Sequence, residues 1–173
     1  MFKNGKLQLS SLVIIAFLIA LEVVLSRMVS INTPVIRISF AFVPVAMMGI
    51  MYGPLWAAGA YALGDVIGAL LFPTGAFFPG FTLTAALTGL TYGFFLHGRD
   101  VTWRRVLPAS FIVCALLNFG LDTLWVYIIT GKGVAPLIPV RLTKAAVMIP
   151  LQTLLVPLLW KQLRRVTPLV RQV

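Results

Sequence analysis

Asn118, Asp122 and Trp125 are spaced i, i+4, i+7, and Arg141, Lys144, Met148 and Gln152 are spaced i, i+3, i+7, i+11. On α-helices each set lies along one face, giving two polar stripes in otherwise apolar surroundings. An acid and an amide on one stripe and two cations on the other, if they face each other, suit recognition of an anion. The same residues also suit structural ion pairs that fix helix register, such as Asp65 with Lys144 or Asp122 with Arg141. Chemistry beyond binding has no support. No G-x-x-x-x-G-K-[ST] loop exists, and Gly131-Lys132-Gly133 lacks both its spacing and the helix that must follow. There is no H-E-x-x-H, no Ser or Cys nucleophile with a base, and no carboxylate and His cluster for a metal. A protein without catalytic residues, cofactor or metal is expected.

The elements that must position these stripes follow from composition. Of 173 residues, 60% are apolar and 10% charged, against roughly 25% charged in soluble domains. Mean hydropathy is +1.02, so the exterior faces membrane lipid. The net charge of +10 does not indicate nucleic acid, because the cations are dispersed between long apolar runs instead of forming a basic patch. The lone cysteine, Cys114, excludes an internal disulfide. Spans of about 20 residues, punctuated by Gly, Pro and charge, predict an all-α integral membrane protein. Its six transmembrane helices run over 7–28, 36–52, 55–72, 81–97, 105–129 and 137–160, a single membrane domain over 1–173. The first run follows Lys3 and Lys6 but is too long for a signal h-region, so it is read as a retained helix. Pro44 is expected to kink the second helix. Gly53-Pro54 makes a tight connection, and residues 73–80 form a longer loop holding Phe77 and Phe78.

Loop charge sets the orientation. With the termini inside, Lys3, Lys6, Arg99, Arg104, Arg105, Lys161, Arg164, Arg165 and Arg171 are inner, and Arg27, Arg37, Lys132, Arg141 and Lys144 are outer. That excess places the N- and C-termini in the cytoplasm. At 1.5 Å per residue, Glu22 then lies ~9 Å, Asp65 and Asp122 ~10 Å, Arg141 ~6 Å and Lys144 ~10 Å below the outer ends of their helices. Intramembrane charges are unfavourable by about 2.5–3.5 kcal/mol each on insertion scales, so they face protein or water. All of them fall in the outer half, which predicts a pocket open outward and closed below. Five outer cations against Glu22, Asp65 and Asp122 leave an excess suited to a dianion. Arg27 and Glu22 belong either to the site or to a pair holding the first helix. Trp125, Phe77, Phe78 and Phe81 are candidate ligand contacts or interfacial aromatics, His97 is expected at the interface and Cys114 in the core.

The run Arg37-Ile-Ser-Phe-Ala-Phe-Val-Pro44, then Tyr52-Gly-Pro-Leu, Gly64-Asp65-Val-Ile-Gly68, Phe77-Phe-Pro-Gly-Phe-Thr82 and Leu121-Asp-Thr-Leu-Trp125 resemble the folate-type substrate-binding (S) components of energy-coupling-factor (ECF) vitamin transporters. The resemblance extends from about Ala16 to Trp160. It implies a non-enzymatic subunit of an ABC-type importer in the bacterial plasma membrane. Such a subunit captures folate from outside and delivers it with a transmembrane coupling protein (T component) and two ATPase subunits. It also implies that Ala16-x-x-x-Ala20 is a docking stripe for the coupling protein. On the helical wheel this stripe lies about 140° from Glu22. Folate's two carboxylates match the excess of cations, with Arg37 and Arg141 expected on the tail and Lys144 in support. Its pterin can stack on aromatics and donate to a carboxylate. Asp65 or Asp122 is expected at the pterin edge, with Asn118, Trp125, Phe77 and Phe78 beside it. The alternatives are an S component for a different vitamin, or a small membrane enzyme acting on a lipid or isoprenoid with Asp65 and Asp122 as acid and base.

Overall fold

Hydrocarbon offers peptide groups no hydrogen-bond partners, so an apolar segment must satisfy its own backbone, and a helix does so within one segment. The computed structural model describes residues 2–3, 6–7, 9–32, 37–73, 77–131 and 136–166. Among them six helices run in order: α1 (Leu9–Arg27), α2 (Phe42–Tyr52), α3 (Pro54–Leu71), α4 (Pro79–Leu96), α5 (Trp103–Thr130) and α6 (Leu137–Val166). Two antiparallel pairs of two-residue strands accompany them, Phe2–Lys3 with Lys6–Leu7 and Ile31–Asn32 with Arg37–Ile38. Helices α1, α3, α5 and α6 are each long and apolar enough to cross a membrane. Helix α4 has 18 residues, but four threonines and three glycines lower its hydropathy. Leu9, Leu55 and Leu70 are more than 70% exposed, a surface suited to lipid and not to water.

Helix α2 departs from expectation. It begins at Phe42 instead of residue 36, because Arg37 and Ile38 pair back onto Asn32 and Ile31. Every residue in it except Val43 is buried, as suits a helix apolar on all sides. Pro44 does not kink it. The proline sits in the first turn, where its missing N–H has no intrahelical acceptor anyway. Helix α6 continues past residue 160 to Val166, so its last turns carry Lys161, Arg164 and Arg165.

Helix α4 is the hub, packing on α2, α3 and α5, with α3 its most extensive partner. Gly89 and Gly93 allow this approach. A side chain at Gly93 would strike the backbone of Pro54, and one at Gly89 would strike the carbonyl of Ala57. On the other side, a Cβ at Gly49 of α2 would lie 2.8 Å from the Gly93 nitrogen. Three helix backbones thus meet at Gly93. The turn joining α2 to α3 needs Gly53 at φ +87°, with Pro54 opening α3 at a position where its fixed φ fits.

Within α5, Pro108 withholds an N–H, and wide turns follow over Ile112–Leu121. At their end the Asp122 N–H donates to the Leu117 carbonyl, five residues back. Tyr92 Oη donates to Gln152 Oε1 at 2.7 Å, and the thiol of Cys114, within these turns, reaches the same oxygen at 3.6 Å. This buried group ties α4, α5 and α6.

Gly93→Leu should lower the stability of the detergent-solubilised chain by at least about 1–3 kcal/mol, since backbone on two sides has no rotamer to yield. Gly59, around which an added Cβ meets nothing within 4 Å, is the contrast. Gly59→Ala should leave stability unchanged or raise it by up to about 1 kcal/mol through helix propensity. Thermal unfolding of the two variants checks the sign at each position.

Candidate functional site

Alternating helix direction brings the C-terminal ends of α1, α3 and α5 to the same end of the bundle as the N-terminal ends of α4 and α6. Asp65, Phe78, Asp122, Trp125, Arg141 and Lys144 all lie there. The sequence-predicted residues divide into two groups.

The first group binds helices together. Arg27 Nη2 donates to Asp65 Oδ1 at 3.2 Å and to the Asp65 carbonyl at 3.3 Å, while Thr82 Oγ1 donates to Asp65 Oδ2 at 2.9 Å. The Arg27 side chain is 6% exposed. Asp65 therefore pairs with Arg27 and not with Lys144, joining α1, α3 and α4. Gly64 and Gly68 make the room. A Cβ at Gly68 would lie 2.8 Å from Arg27 Nε, and one at Gly64 would strike Glu22 Oε2. Both charged residues of α1 are thus seated on the small stripe of α3.

The second group faces inward from α4, α5 and α6. Trp125 Nε1 donates to Thr84 Oγ1 at 3.0 Å, the Thr84 hydroxyl itself donates to the Gly80 carbonyl at 3.2 Å, and Asp122 lies near enough to Lys144 and Arg141 to interact with them electrostatically. Phe78 packs on Trp125 with ring centroids 5.7 Å apart and meets Phe81 edge-on at 6.2 Å. Arg141, 9% exposed, donates through Nη1 to the Asn118 carbonyl at 3.0 Å. The wide turns of α5 make that carbonyl accessible, because the Asp122 N–H has gone to Leu117 instead. Asn118 thus enters through its backbone. Two polar atoms here, Asp122 Oδ1 and Arg141 Nε, are buried and have no hydrogen-bond partner among the described residues.

Other residues singled out by the sequence stand apart from this cluster. Phe77 is 51% exposed, outside the Phe78–Trp125 cluster. The Arg37 side chain and Lys132 lie outside the described residues. Ala16 and Ala20 are exposed on α1, whereas Glu22, on the opposite face, is 2% exposed. Sequence reasoning missed Thr82 and Thr84 as structural members of the site. The signal for Thr84 was the four-residue spacing of Gly80, Thr84, Thr88 and Tyr92, which are all buried along α4. The arrangement offers an acid, two cations and an aromatic wall from three helices. It holds no group of three or more His, Cys, Asp or Glu fit for a metal among the described residues.

Residues 10–160 match a family model described as ECF transporter, substrate-specific component. The folate transporter FolT of Clostridium novyi (strain NT) is 45% identical over 154 residues, covering 89% of this chain and 90% of the relative. That of Leuconostoc mesenteroides subsp. mesenteroides is 37% identical over 153 residues, covering 85% and 82%. A solved structure, described as the crystal structure of FolT bound with folic acid, matches with a TM-score of 0.82 at 38% identity, covering 86% of this chain and 91% of that one. These relatives are transport proteins, which displaces the reading as a lipid-modifying membrane enzyme. With helices that suit a lipid surroundings and a family match over most of its length, the chain belongs to the substrate-specific components of ECF transporters, multi-pass proteins of the cell membrane.

Proposed function

We propose that this chain captures folate from outside the cell and delivers it through an ATP-driven module made of a transmembrane coupling protein and two ATPase subunits. The observation that carries the ligand site is the pair of buried, unpartnered polar atoms on facing helices, Asp122 Oδ1 and Arg141 Nε. Buried polar groups are unfavourable without partners, and a ligand with a donor edge and carboxylates supplies both. The pterin edge donates to Asp122, because both oxygens of Asp65 are already engaged by Arg27 and Thr82. Trp125 and Phe78 stack on the ring, Asn118 lies beside it, and Arg141, Lys144 and Arg37 hold the glutamate carboxylates, with Phe77 at the entrance. A different vitamin is the weaker reading, since the curated relatives are named as folate transporters.

The whole chain acts as one membrane domain, with both termini in the cytoplasm and the site outward, as the distribution of Lys and Arg supports. Ala16 and Ala20 form the docking stripe for the coupling protein. Small residues let a neighbouring backbone come close in lipid, where packing drives association, and both are exposed on the face of α1 away from Glu22.

The isolated chain should bind folate without pumping it, having no nucleotide loop. Sustained ATP-independent accumulation by the chain alone in proteoliposomes would overturn this. Arg141→Ala should weaken folate about tenfold to a hundredfold, the worth of a charge-assisted hydrogen bond, and weaken a tail-free pterin much less. Asp122→Ala should weaken both ligands alike. Equal losses with Arg141→Ala would move Arg141 from the tail to the ring or to a structural role. Replacing Ala16 and Ala20 together with Trp should leave folate affinity nearly unchanged and abolish assembly with the coupling protein. Loss of folate binding in that variant would show the stripe packing inside the bundle.

A further inference from the structure

At the end of the bundle opposite the candidate site, the turn before α5 and the last turns of α6 line an open cavity of about 680 Å³. Asp100, Trp160, Lys161, Arg164 and Arg165 are among the residues lining it. Three cations facing one carboxylate give it an excess of positive charge. Helix α6 connects this cavity to the lipid-facing surface. Leu154, Leu158, Lys161 and Arg165 follow i, i+4, i+7, i+11 and so share one face. All four are exposed, Leu154 by 69% and Leu158 by 57%. In a bilayer such a stripe passes from the acyl region to the headgroup region, with its cations at the headgroup end.

The tryptophans mark the same level. Trp160 lines the cavity, and Trp103, 57% exposed, opens α5 at this end with the Arg104 guanidinium 5.3 Å over its ring. Indoles concentrate where hydrocarbon meets headgroups. A soluble anion would use the cations alone. The lipid-facing stripe leading into them lets a ligand that carries acyl chains be held at both its charged and its apolar part.

We propose that this cavity binds the phosphate headgroup of an anionic phospholipid, with Lys161 and Arg165 on the phosphodiester, Arg164 beside them and the acyl chains along Leu154 and Leu158. Basic pockets between transmembrane helices at a membrane surface bind anionic headgroups in this way. The assignment is independent of what the other end of the bundle binds.

The test is native mass spectrometry of the detergent-solubilised full chain titrated separately with phosphatidylglycerol, phosphatidylcholine and inorganic phosphate. Phosphatidylglycerol should bind at least about tenfold more tightly than phosphatidylcholine, each cation near a lipid surface contributing about fivefold. The triple variant K161Q/R164Q/R165Q should lose the preference while unfolding at the wild-type temperature. Should the triple variant unfold early, D100N carries the test. Removal of the negative charge should tighten phosphatidylglycerol severalfold and leave phosphatidylcholine unchanged. Equal binding of the two lipids, a preference that survives in the triple variant, or no tightening in D100N would overturn the proposal. Displacement of phosphatidylglycerol by millimolar inorganic phosphate would also overturn it, in favour of a soluble-anion site.

Discussion

Arg27 and Asp65, 3.2 Å apart, sit where lipid can solvate neither, and this constraint organises the end of the bundle that holds the candidate site. Removing one partner of a buried ion pair is unfavourable by about 3–5 kcal/mol, because the other charge is left uncompensated. The pair is therefore held on all sides. Thr82 of α4 takes the second carboxylate oxygen, and Gly64 and Gly68 open the groove into which Glu22 and Arg27 fit. One acid thereby fixes the spacing and register of α1, α3 and α4. These are the helices that frame the candidate site without supplying its acid or its cations.

The acid and the cations of the candidate site come instead from α5 and α6, and the wide turns after Pro108 decide how they meet. An ordinary α-turn would join the Asn118 carbonyl to the Asp122 N–H. Here that N–H goes to Leu117, and Arg141 takes the Asn118 carbonyl with one arm of its guanidinium. A backbone acceptor orients a guanidinium without neutralising it. Arg141 therefore keeps its charge directed at the site, which a close ion pair with Asp122 would have quenched. The local irregularity in α5 and the binding role proposed for α6 are in this sense one feature.

Much of this was legible in the sequence. Six helices, the clustering of embedded charges towards one end and the shared faces of α5 and α6 all follow from spacing, because apolar periodicity and charge avoidance act residue by residue. The partner of Asp65 was not legible. Arg27, Lys144 and Arg141 are equivalent as cations, and only the seating of Arg27 over Gly68 selects it. Thr82 and Thr84 were hidden for another reason. A threonine in an apolar helix can bond its own i−4 carbonyl, as Thr88 and Thr91 do, so its type alone does not announce a tertiary role. The start of α2 was misplaced because Ile36, Ile38, Phe40 and Ala41 extend the apolar run of the helix towards the N-terminus. The pairing of Arg37 and Ile38 with residues 31–32 is a tertiary choice, and so is the hydrogen-bond register of α5.

Helix α1 shows how a binding end and an outward surface can belong to one rigid piece. Its inward face carries Glu22 and Arg27, each fitted against a glycine of α3, and its outward face carries Ala16 and Ala20. A helix with only apolar contacts can slide or roll on its neighbour for little free energy, since one smooth packing replaces another. This one cannot. Any shift along α3 would drive the Arg27 side chain against bulkier positions and part it from Asp65, so α1 moves with α3 or not at all. Thr82, which donates to Asp65, and Thr84, which accepts from Trp125, lie two residues apart on α4. A residue that helps hold α1 and one of the candidate site are thereby carried on one helix. Under the proposed function, the helix that would dock the coupling protein is the one tied by an ion pair to the frame of the folate site.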